Sequence, residues 1–278
     1  MINYNGNFID QSSTDLINRG FLFGDCVFDT LKIVNNNILF WEEHYLRLMS
    51  SIRVLRMEIP DKFTPDFLEK EILKTNSQID INFSGRVRLS VFRSGGGLYS
   101  PESSDPSYVI QSKRSNDLLF ENFEKPYKVD LYKDYFIQPN LLSNLKTNNK
   151  VLNVIGSIYA SENELDNCIL LNDNKDVTEF LNGNIFTVNG SNISTPPLSS
   201  GCLNGVMRKK IIELVNASPG LELNETKISP FELISSNEIW LTNSICGIIA
   251  ISDYRNKKFY NTQAKHLIEL INMKIKNI

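Results

Sequence analysis

The chain has 278 residues, of which 41% are hydrophobic and 22% are charged, and its formal net charge is −3 at pH 7. This length predicts two domains, and this composition is typical of a soluble globular protein with a sizeable core. Acidic and basic residues are spread along the chain, so no basic stripe indicates a nucleic-acid partner. No apolar stretch is long enough to span a membrane, and the first residues lack the pattern of a signal peptide.

The numbers and positions of the cysteines and histidines limit the kinds of site that the chain can form. The four cysteines, Cys26, Cys168, Cys202 and Cys246, lie far apart and form no CxxC pair. This pattern predicts reduced thiols in a cytoplasmic protein. Because the chain has only two histidines, neither a metal site built on imidazoles nor a Ser-His-Asp triad is expected.

Strand and helix patterns alternate in the first half of the chain. Asn35-Asn36-Asn37 is a turn between two apolar runs, which predicts a β-hairpin. A helical stripe begins at Tyr45 and ends before Pro60. The predicted strands cover residues 28–34, 38–40, 86–93 and 108–111, and the predicted helices cover 45–55 and 64–76.

The second half follows a polar stretch. Residues 113–126 are polar and contain Pro126, which predicts a linker between an N-terminal domain (1–112) and a C-terminal domain (127–278). The predicted strands there cover 128–132, 168–171, 177–180, 184–188, 193–195, 239–242 and 247–251, and the predicted helices cover 151–165, 205–216 and 262–275. Two mixed domains, each with a sheet and a few helices, define an α+β protein.

Three side chains are candidates for chemistry, although each also has an ordinary explanation. Lys146 lies between a polar turn and a predicted helix, where most lysines are solvated. Glu179 lies on an alternating strand and, taken alone, is a surface carboxylate. Arg47 lies nearly opposite the apolar stripe of its helix, as a solvated arginine does.

A candidate anion site lies at a predicted helix N-terminus. Asn204 is a suitable N-cap for a helix that begins at Gly205. The first N–H groups of that helix, including those of Val206 and Met207, can bind an anion. Ser244 ends a strand and offers a hydroxyl to a phosphate, or simply belongs to a turn.

A lysine, a carboxylate and a helix N-terminus are together what a protein needs to bind pyridoxal phosphate. The lysine amine can form a Schiff base with the aldehyde. The carboxylate can keep the pyridine nitrogen protonated, so that the ring accepts electrons. The helix N-terminus suits the phosphate. The order of Lys146, Glu179 and Val206 along the chain therefore predicts this cofactor.

Four segments resemble, in order, the motifs of the class IV (fold type IV) pyridoxal-phosphate enzymes. That family includes branched-chain aminotransferase, D-amino-acid aminotransferase and aminodeoxychorismate lyase. Its motifs are R-G-F-x-[YF]-G-D-G-x-F-E-T, H-L-x-R-L, V-x-E-x-x-x-x-N-[IV]-F, and T-P-P-L followed by L-x-G-I-x-R. Residues 19–30, 44–48, 177–186 and 195–208 resemble them. The resemblance implies two mixed domains of the D-amino-acid aminotransferase-like kind.

The resemblance also implies a role for each candidate residue. Lys146 is the Schiff-base lysine, carried by the C-terminal domain, and Glu179 meets the pyridine nitrogen. Arg47 contacts the phosphate. The remaining cofactor-binding residues are Val206, Met207 and Ser244.

The substrate side shows both matches and departures. Arg88 and Arg93 fall on the strand that supplies substrate-carboxylate contacts in the family, although an exposed strand face would look the same. Cys26 replaces the glycine of G-D-G, and Asp29 replaces the glutamate of the same motif. In the family these two positions lie toward the substrate, so the departures bear on which substrate is used.

The resemblance favours aminodeoxychorismate lyase, which releases pyruvate and leaves 4-aminobenzoate, a folate precursor. The chain is short, it lacks the G-G-N-Y segment that follows the lysine in branched-chain enzymes, and residues 93–100 resemble the R-G-x-G-G-x-G-Y-S of the lyases. The alternative is a class IV aminotransferase for branched-chain or D-amino acids with a 2-oxo acid acceptor. A member that binds the cofactor without catalysis is a third hypothesis. The family implies a homodimer and a small-molecule substrate that carries an amino group.

Overall fold

The computed structural model describes residues 2–10, 18–121 and 125–276. Its contacts divide the chain into two compact units, Met1–Leu119 with Lys146–Asn149, and Phe120–Leu145 with Lys150–Ile278. Each unit contains both strands and helices, so the predicted α+β class is confirmed. The first unit continues to Leu119, beyond the predicted domain end at residue 112, and residues 122–124 of the predicted linker lie outside the described ranges.

Within residues 2–10 and 18–119, the first unit contains one six-stranded sheet and three α-helices. The strands are β1 (Ile2–Tyr4), β2 (Asn7–Ile9), β3 (Cys26–Val34), β4 (Asn37–Ile38), β5 (Gly85–Arg93) and β6 (Pro106–Arg114). The helices are α1 (Arg19–Leu22), α2 (Trp41–Val54) and α3 (Pro65–Ser77). The sheet order is β2-β1-β6-β5-β3-β4, and every pairing is antiparallel.

Local signals explain the elements of the first unit. Asn35 and Asn36 have φ angles of 48° and 64°, which is what the tight turn of the predicted β3–β4 hairpin requires. Thr64 caps α3 by accepting from the Phe67 N–H, and Pro65 occupies the first turn. Apolar side chains of α2 and α3 pack on the sheet, with Ile52 fully buried. The hairpin and both helices are therefore confirmed.

The described part of the second unit contains a larger sheet and four α-helices. The strands are β7 (Lys128–Ile137), β8 (Asn167–Asn172), β9 (Val177–Phe180), β10 (Gly183–Asn189), β11 (Asn192–Thr195), β12 (Glu222–Glu225), β13 (Glu238–Asn243), β14 (Gly247–Ala250), β15 (Asp253–Tyr254) and β16 (Lys257–Lys258). The helices are α4 (Val151–Glu162), α5 (Val206–Asn216), α6 (Pro230–Ser235) and α7 (Thr262–Lys276). Among the described helices, none is both long and apolar enough to cross a membrane.

One row of residues crosses the centre of the second sheet. The strand order is β12-β11-β10-β9-β8-β7-β15-β16, and β13 also pairs with β10. Glu179 on β9 lies opposite Asn184 on β10, and Asn184 lies opposite Thr242 on β13. Directly paired residues share one face of a sheet. Glu179, Asn184 and Thr242 therefore form a polar row on the same face.

Candidate functional site

Lys146 is held beside β3 by backbone pairing within the first unit. The Phe28 N–H donates to the Lys146 carbonyl at 2.8 Å, and the Asn148 N–H donates to the Cys26 carbonyl at 3.0 Å. Thr147 forms an antiparallel bridge with Val27 between these bonds. The segment acts as a short extra strand on β3, so the position of Lys146 is fixed by main-chain atoms and not by a flexible loop.

The aromatic ring of Phe28 contacts two cationic side chains. The Lys146 Nζ lies 4.8 Å from the ring centroid, and the Arg88 guanidinium carbon lies 3.6 Å from it. Arg88 also donates to the Asn148 Oδ1 at 2.7 Å and to the Ser90 Oγ at 3.1 Å. Arg88 is partly buried, and burial is the main cause that lowers its pKa. The structure thus brings two of the predicted residues, Lys146 and Arg88, to one ring.

Arg47 is not the solvated arginine that its helix position indicated. Its side chain is 11% exposed, and it donates to Asp29 from Nη2 at 2.6 Å and from Nε at 3.1 Å. His44, one turn earlier on α2, contacts the same carboxylate through Nδ1 at 2.6 Å. The Asp29 carboxylate therefore faces α2 and holds Arg47.

Arg93 contacts a different carboxylate from Arg47 and does not share the Phe28 ring with Arg88. Its Nε donates to Asp25 at 2.9 Å, and its terminal nitrogens donate to the carbonyls of Leu55 and Arg56 beyond α2. Arg19 contacts the same Asp25 carboxylate at 3.1 Å. This network joins β5 to the end of α2. These contacts hold Arg93 within the first unit, and its predicted contact with the substrate stays a prediction.

Glu179 is also more confined than a surface carboxylate. It is 8% exposed, and its Oε2 accepts the Leu203 N–H at 2.9 Å. Asn184, its neighbour in the polar row, donates to the Leu203 carbonyl at 2.8 Å. Both polar groups of Leu203 are thus bound by the sheet, which fixes the loop that leads into α5. The interpretation of Glu179 as a surface residue is wrong.

The loop before α5 leaves no space for a side chain at Gly205. A Cβ there would lie 2.0 Å from the Asn184 Oδ1. Gly205, not Asn204, is the N-cap, and no side chain caps this helix, so the predicted cap was wrong by one residue. Val206 and Met207 begin α5 and are buried. The first N–H groups of an α-helix have no intrahelical acceptor, so α5 presents buried donors at this end.

Ser244 lies in the turn between β13 and β14 and is partly buried. The neighbouring Asn243 accepts from the N–H groups of Ile245 and Cys246, which shapes this turn. The Thr242 hydroxyl is buried and has no hydrogen-bond partner among the described residues. A buried hydroxyl without a partner is costly in a folded protein. Thr242 is therefore a polar group that a ligand could satisfy.

Two further ionisable residues, Cys26 and Lys150, have pKa values that differ from their ordinary values. Burial raises the pKa of the Cys26 thiol to about 12, although Arg88 acts in the opposite direction. The thiol therefore stays protonated and does not act as a nucleophile. Burial lowers the pKa of Lys150, which the charge of Glu179 partly offsets. Within the described ranges, no group of three or more His, Cys, Asp or Glu could hold a metal ion.

Some positioning residues were missed at the level of sequence. Asn184 was visible only as a motif letter, and Phe28 only as an apolar strand residue. Asn144 donates to the carbonyls of Leu198 and Cys202 and accepts from the Asn204 N–H, so it holds the loop before α5. Nothing in the spacing of these residues predicts such contacts, because the partners are distant in the chain.

Comparisons with known proteins agree on one family. The model of the family described as amino-transferase class IV matches residues 26–254. The aminodeoxychorismate lyase of Bacillus subtilis is 30% identical over 261 residues, which cover 90% of this chain and 85% of that protein. A putative branched-chain-amino-acid aminotransferase of Methanocaldococcus jannaschii is 25% identical over 279 residues, which cover 99% of this chain and 94% of that protein.

A solved structure shows the same fold. The crystal structure of branched-chain amino acid aminotransferase from Thermobaculum terrenum in its pyridoxal-phosphate form has a TM-score of 0.87 at 20% identity. The match covers 99% of this chain and 93% of that chain. The predicted fold type IV is therefore confirmed.

The chain belongs to the class IV aminotransferase family. It is accordingly an enzyme of the pyridoxal-phosphate-dependent kind, as the sequence motifs predicted.

Proposed function

We propose that this enzyme is an aminodeoxychorismate lyase. The observation that carries the proposal is the 30% identity to the Bacillus subtilis lyase across 90% of the chain. Two features of the sequence support it: the segment after Lys146 has no tyrosine, and residues 93–100 resemble the glycine-rich segment of the lyases.

The residues present fit pyridoxal phosphate. Lys146 provides the amine that would hold the aldehyde, and Glu179 provides a confined carboxylate for the pyridine nitrogen. The crowded Gly205 and the unpartnered Thr242 hydroxyl line the start of α5 and the strand that leads to Ser244. These are the donors and the close backbone approach that a phosphate group requires.

The remaining proposed cofactor contacts depend on the charge of Arg47 and on N–H groups that have no acceptor within their helix. We propose that the guanidinium of Arg47 and the N–H groups of Val206 and Met207 bind the phosphate, with a weaker contribution from Ser244. Charge-assisted bonds from an arginine and the N-terminus of a helix are the two interactions best suited to a phosphate.

Lys146 would also transfer the proton that the substrate loses in the reaction. Its Nζ would act as a general base and remove the proton from the substrate carbon that bears the amine. When bound, the cofactor supplies an electron sink for the charge that develops at this carbon. Glu179 maintains that sink by holding a proton on the pyridine nitrogen. Arg88, which contacts the same Phe28 ring as Lys146, would bind a carboxylate of the substrate.

The lyase reaction needs no further reactant. The carbon that bears the amine loses its proton to Lys146, and the adjacent carbon–oxygen bond to the enolpyruvyl group breaks. The electron pair of the C–H bond becomes part of the new aromatic ring. The departing enol gains a proton and leaves as pyruvate, and 4-aminobenzoate remains. We propose on this basis a role in supplying this folate precursor.

A class IV aminotransferase is the second candidate function. The match to the putative Methanocaldococcus jannaschii aminotransferase, which covers 99% of this chain, favours it. In that case Lys146 would again move the proton, and the substrate would be a branched-chain or D-amino acid with a 2-oxo acid as acceptor. Lys146, Glu179 and Arg47 would keep the same roles.

Product analysis separates the two candidates. The purified enzyme is offered aminodeoxychorismate in one assay, and leucine or D-alanine with 2-oxoglutarate in others. The proposal expects 4-aminobenzoate and pyruvate in the first assay and no glutamate in the others. Glutamate without 4-aminobenzoate would reject the lyase in favour of the aminotransferase. No product from any substrate, with the cofactor bound, would favour a member without catalytic activity.

We also propose a homodimer in the cytoplasm, formed through α4. This helix carries no charged residue before Glu162, and Val151 and Ile158 are 64% and 53% exposed. A contiguous exposed apolar surface of this kind marks a protein interface. The four cysteines are free, which is consistent with a reducing compartment.

Light scattering coupled to size-exclusion chromatography tests the dimer. Ile158→Glu is expected to shift the protein to the monomer mass. Ile81→Glu is the matched control, because Ile81 is equally apolar and 79% exposed but lies in the first unit. A dimer that survives Ile158→Glu together with Val154→Glu would reject this interface.

A further inference from the structure

Asp29 is a buried carboxylate that the proposed reaction does not use. It lies on β3 and is 2% exposed. Its Oδ1 accepts from the Arg47 Nη2 at 2.6 Å, and its Oδ2 accepts from the Arg47 Nε at 3.1 Å. The two bonds form the bidentate arrangement that fixes both the position and the plane of a guanidinium.

A second residue of α2 holds the carboxylate from the same side. The His44 Nδ1 lies 2.6 Å from the Asp29 Oδ1, and His44 is buried. Because an ionised carboxylate only accepts hydrogen bonds, this nitrogen must carry a proton. His44 and Arg47 are three residues apart and share one face of the helix. Asp29 therefore joins β3 to this face of α2 by three bonds.

The electrostatics keep Asp29 ionised. Burial alone would raise the pKa of its carboxyl group. The charge of Arg47 and the contacts with His44 outweigh burial and hold this pKa below its usual range. A charged carboxylate therefore faces Arg47 and His44 at neutral pH.

A fixed guanidinium binds an anion more tightly than a mobile one. An arginine side chain has many rotamers, and the entropy lost in ordering it on binding reduces affinity. In this chain the bond to Asp29 orders the side chain before any ligand arrives. Asp29 contacts the edge of the guanidinium formed by Nε and Nη2.

We infer that Asp29 is a positioning residue that orders Arg47 for the phosphate of the cofactor. The inference rests on the proposed phosphate contact of Arg47. It gives the aspartate that replaces the family's glutamate a task in cofactor affinity, and none in the choice of substrate.

A double-mutant cycle tests the inference. The cofactor is removed, and the dissociation constant of pyridoxal phosphate is measured by titration for the wild type, Asp29→Asn, Arg47→Ala and the double variant. Asp29→Asn is expected to weaken binding roughly ten-fold in the wild-type background, because it removes a charge-assisted pair. In the Arg47→Ala background, the same change should have little further effect, since the residue it positions is gone.

Pyridoxal, which lacks the phosphate, is the matched ligand. Asp29→Asn should leave pyridoxal affinity unchanged if its effect passes through the phosphate contact. Glu238→Gln is the control for loss of a buried carboxylate, because Glu238 is equally buried and holds the start of α7 in the second unit. It is expected to lower thermal stability without changing either affinity. Asp29→Glu, which restores the family residue, should retain tighter cofactor binding than Asp29→Asn.

The outcomes separate this inference from the proposed function. If Arg47→Ala weakens phosphate-dependent binding while Asp29→Asn does not, the inference is wrong and the phosphate contact stands. Equal loss from Asp29→Asn for both ligands, or equal loss in both Arg47 backgrounds, would also overturn it. A wild-type protein that binds neither ligand would instead reject the cofactor assignment. Loss for pyridoxal phosphate alone, and only with Arg47 present, supports the inference.

Discussion

Lys146 is the residue on which the proposed chemistry depends, and its surroundings give a direct test. Its backbone is paired with β3, and its amine lies over Phe28. We expect borohydride reduction of the holoenzyme, followed by peptide mapping, to place the pyridoxyl group on Lys146. Lys146→Ala should bind the cofactor only non-covalently and lose essentially all turnover.

Lys150 is the matched control for Lys146. Lys150 lies four residues later and is the nearest other lysine in the sequence. It is partly buried, and burial lowers its pKa, so its amine is a plausible competitor for the aldehyde. Lys150→Ala should retain covalent attachment of the cofactor. A pyridoxyl label on Lys150 in the wild-type enzyme would show that the assignment of Lys146 is wrong.

Glu179 provides the second test at the residue scale. Glu179→Gln keeps the shape of the side chain but removes the charge proposed to hold a proton on the pyridine nitrogen. A loss of about 3–4 kcal/mol of transition-state stabilisation corresponds to roughly 10²–10³-fold in rate. We expect such a decrease in kcat with the cofactor still bound, whichever substrate is accepted. Glu164→Gln, on an exposed residue, should have no effect, and near-normal turnover of Glu179→Gln would reject the proposed role.

For the three predicted arginines, the sequence identified the residues but not the groups that they contact. The family motif singled out Arg47, but its carboxylate partner lies 18 positions away and could not be derived from spacing. Arg88 and Arg93 lie on one strand, five residues apart, so they point to opposite faces of the sheet. One contacts the ring of Phe28 and the other contacts Asp25. Only the tertiary structure distinguishes these two sets of contacts.

At the scale of elements, the approach of α5 to the sheet depends on Gly205. Gly205→Ala would place a methyl group against the Asn184 Oδ1 and force the loop away from β10. Overpacking of this kind costs about 1–3 kcal/mol. We expect lower thermal stability and weaker binding of pyridoxal phosphate, because the N–H groups at the start of α5 would move.

A compensating change provides the control for Gly205. Asn184→Ala alone removes the bond to the Leu203 carbonyl but leaves Glu179 to hold the Leu203 N–H. Combined with Gly205→Ala, it removes the clash. The double variant should therefore be no less stable than the sum of the single changes predicts. If Gly205→Ala alone is neutral, the close approach to Asn184 is not a constraint on the loop.

Elements set by nearby residues were predictable, and elements set by distant partners were not. The β3–β4 hairpin, α2, α3 and α7 follow from asparagine turns, a capping threonine and helical apolar spacing, all within a few residues. The pairing of Lys146–Asn149 with β3 joins segments more than a hundred residues apart. Short strands such as β15 and β16 carry only two residues each, which is too few for a periodic pattern.

At the scale of the whole molecule, the division into units shows why a boundary drawn along the sequence was incomplete. A polar stretch marks a change in composition, and the structure places the division near residue 120. The same composition cannot show that four residues around Lys146 return to the first unit. Lys146, Arg47 and Arg88 belong to the first unit, and Glu179 and the start of α5 belong to the second.

Buried thiols in both units predict how the stability of the whole molecule depends on pH. Burial raises the pKa of Cys26 and Cys202 to about 12 and that of Cys168 to about 11, from an ordinary value of 9.0. Below pH 9 these thiols are protonated in both the folded and unfolded states, and their favourable burial is fully retained. Above it the unfolded state loses the protons first, so the free energy of unfolding falls as pH rises toward the folded values. We expect the urea midpoint, measured with a reductant present, to decrease progressively above about pH 9.

Cys26→Ala combined with Cys202→Ala should lower stability at neutral pH but make the alkaline decrease in stability shallower. An unchanged slope in that variant would show that these thiols do not control alkaline stability.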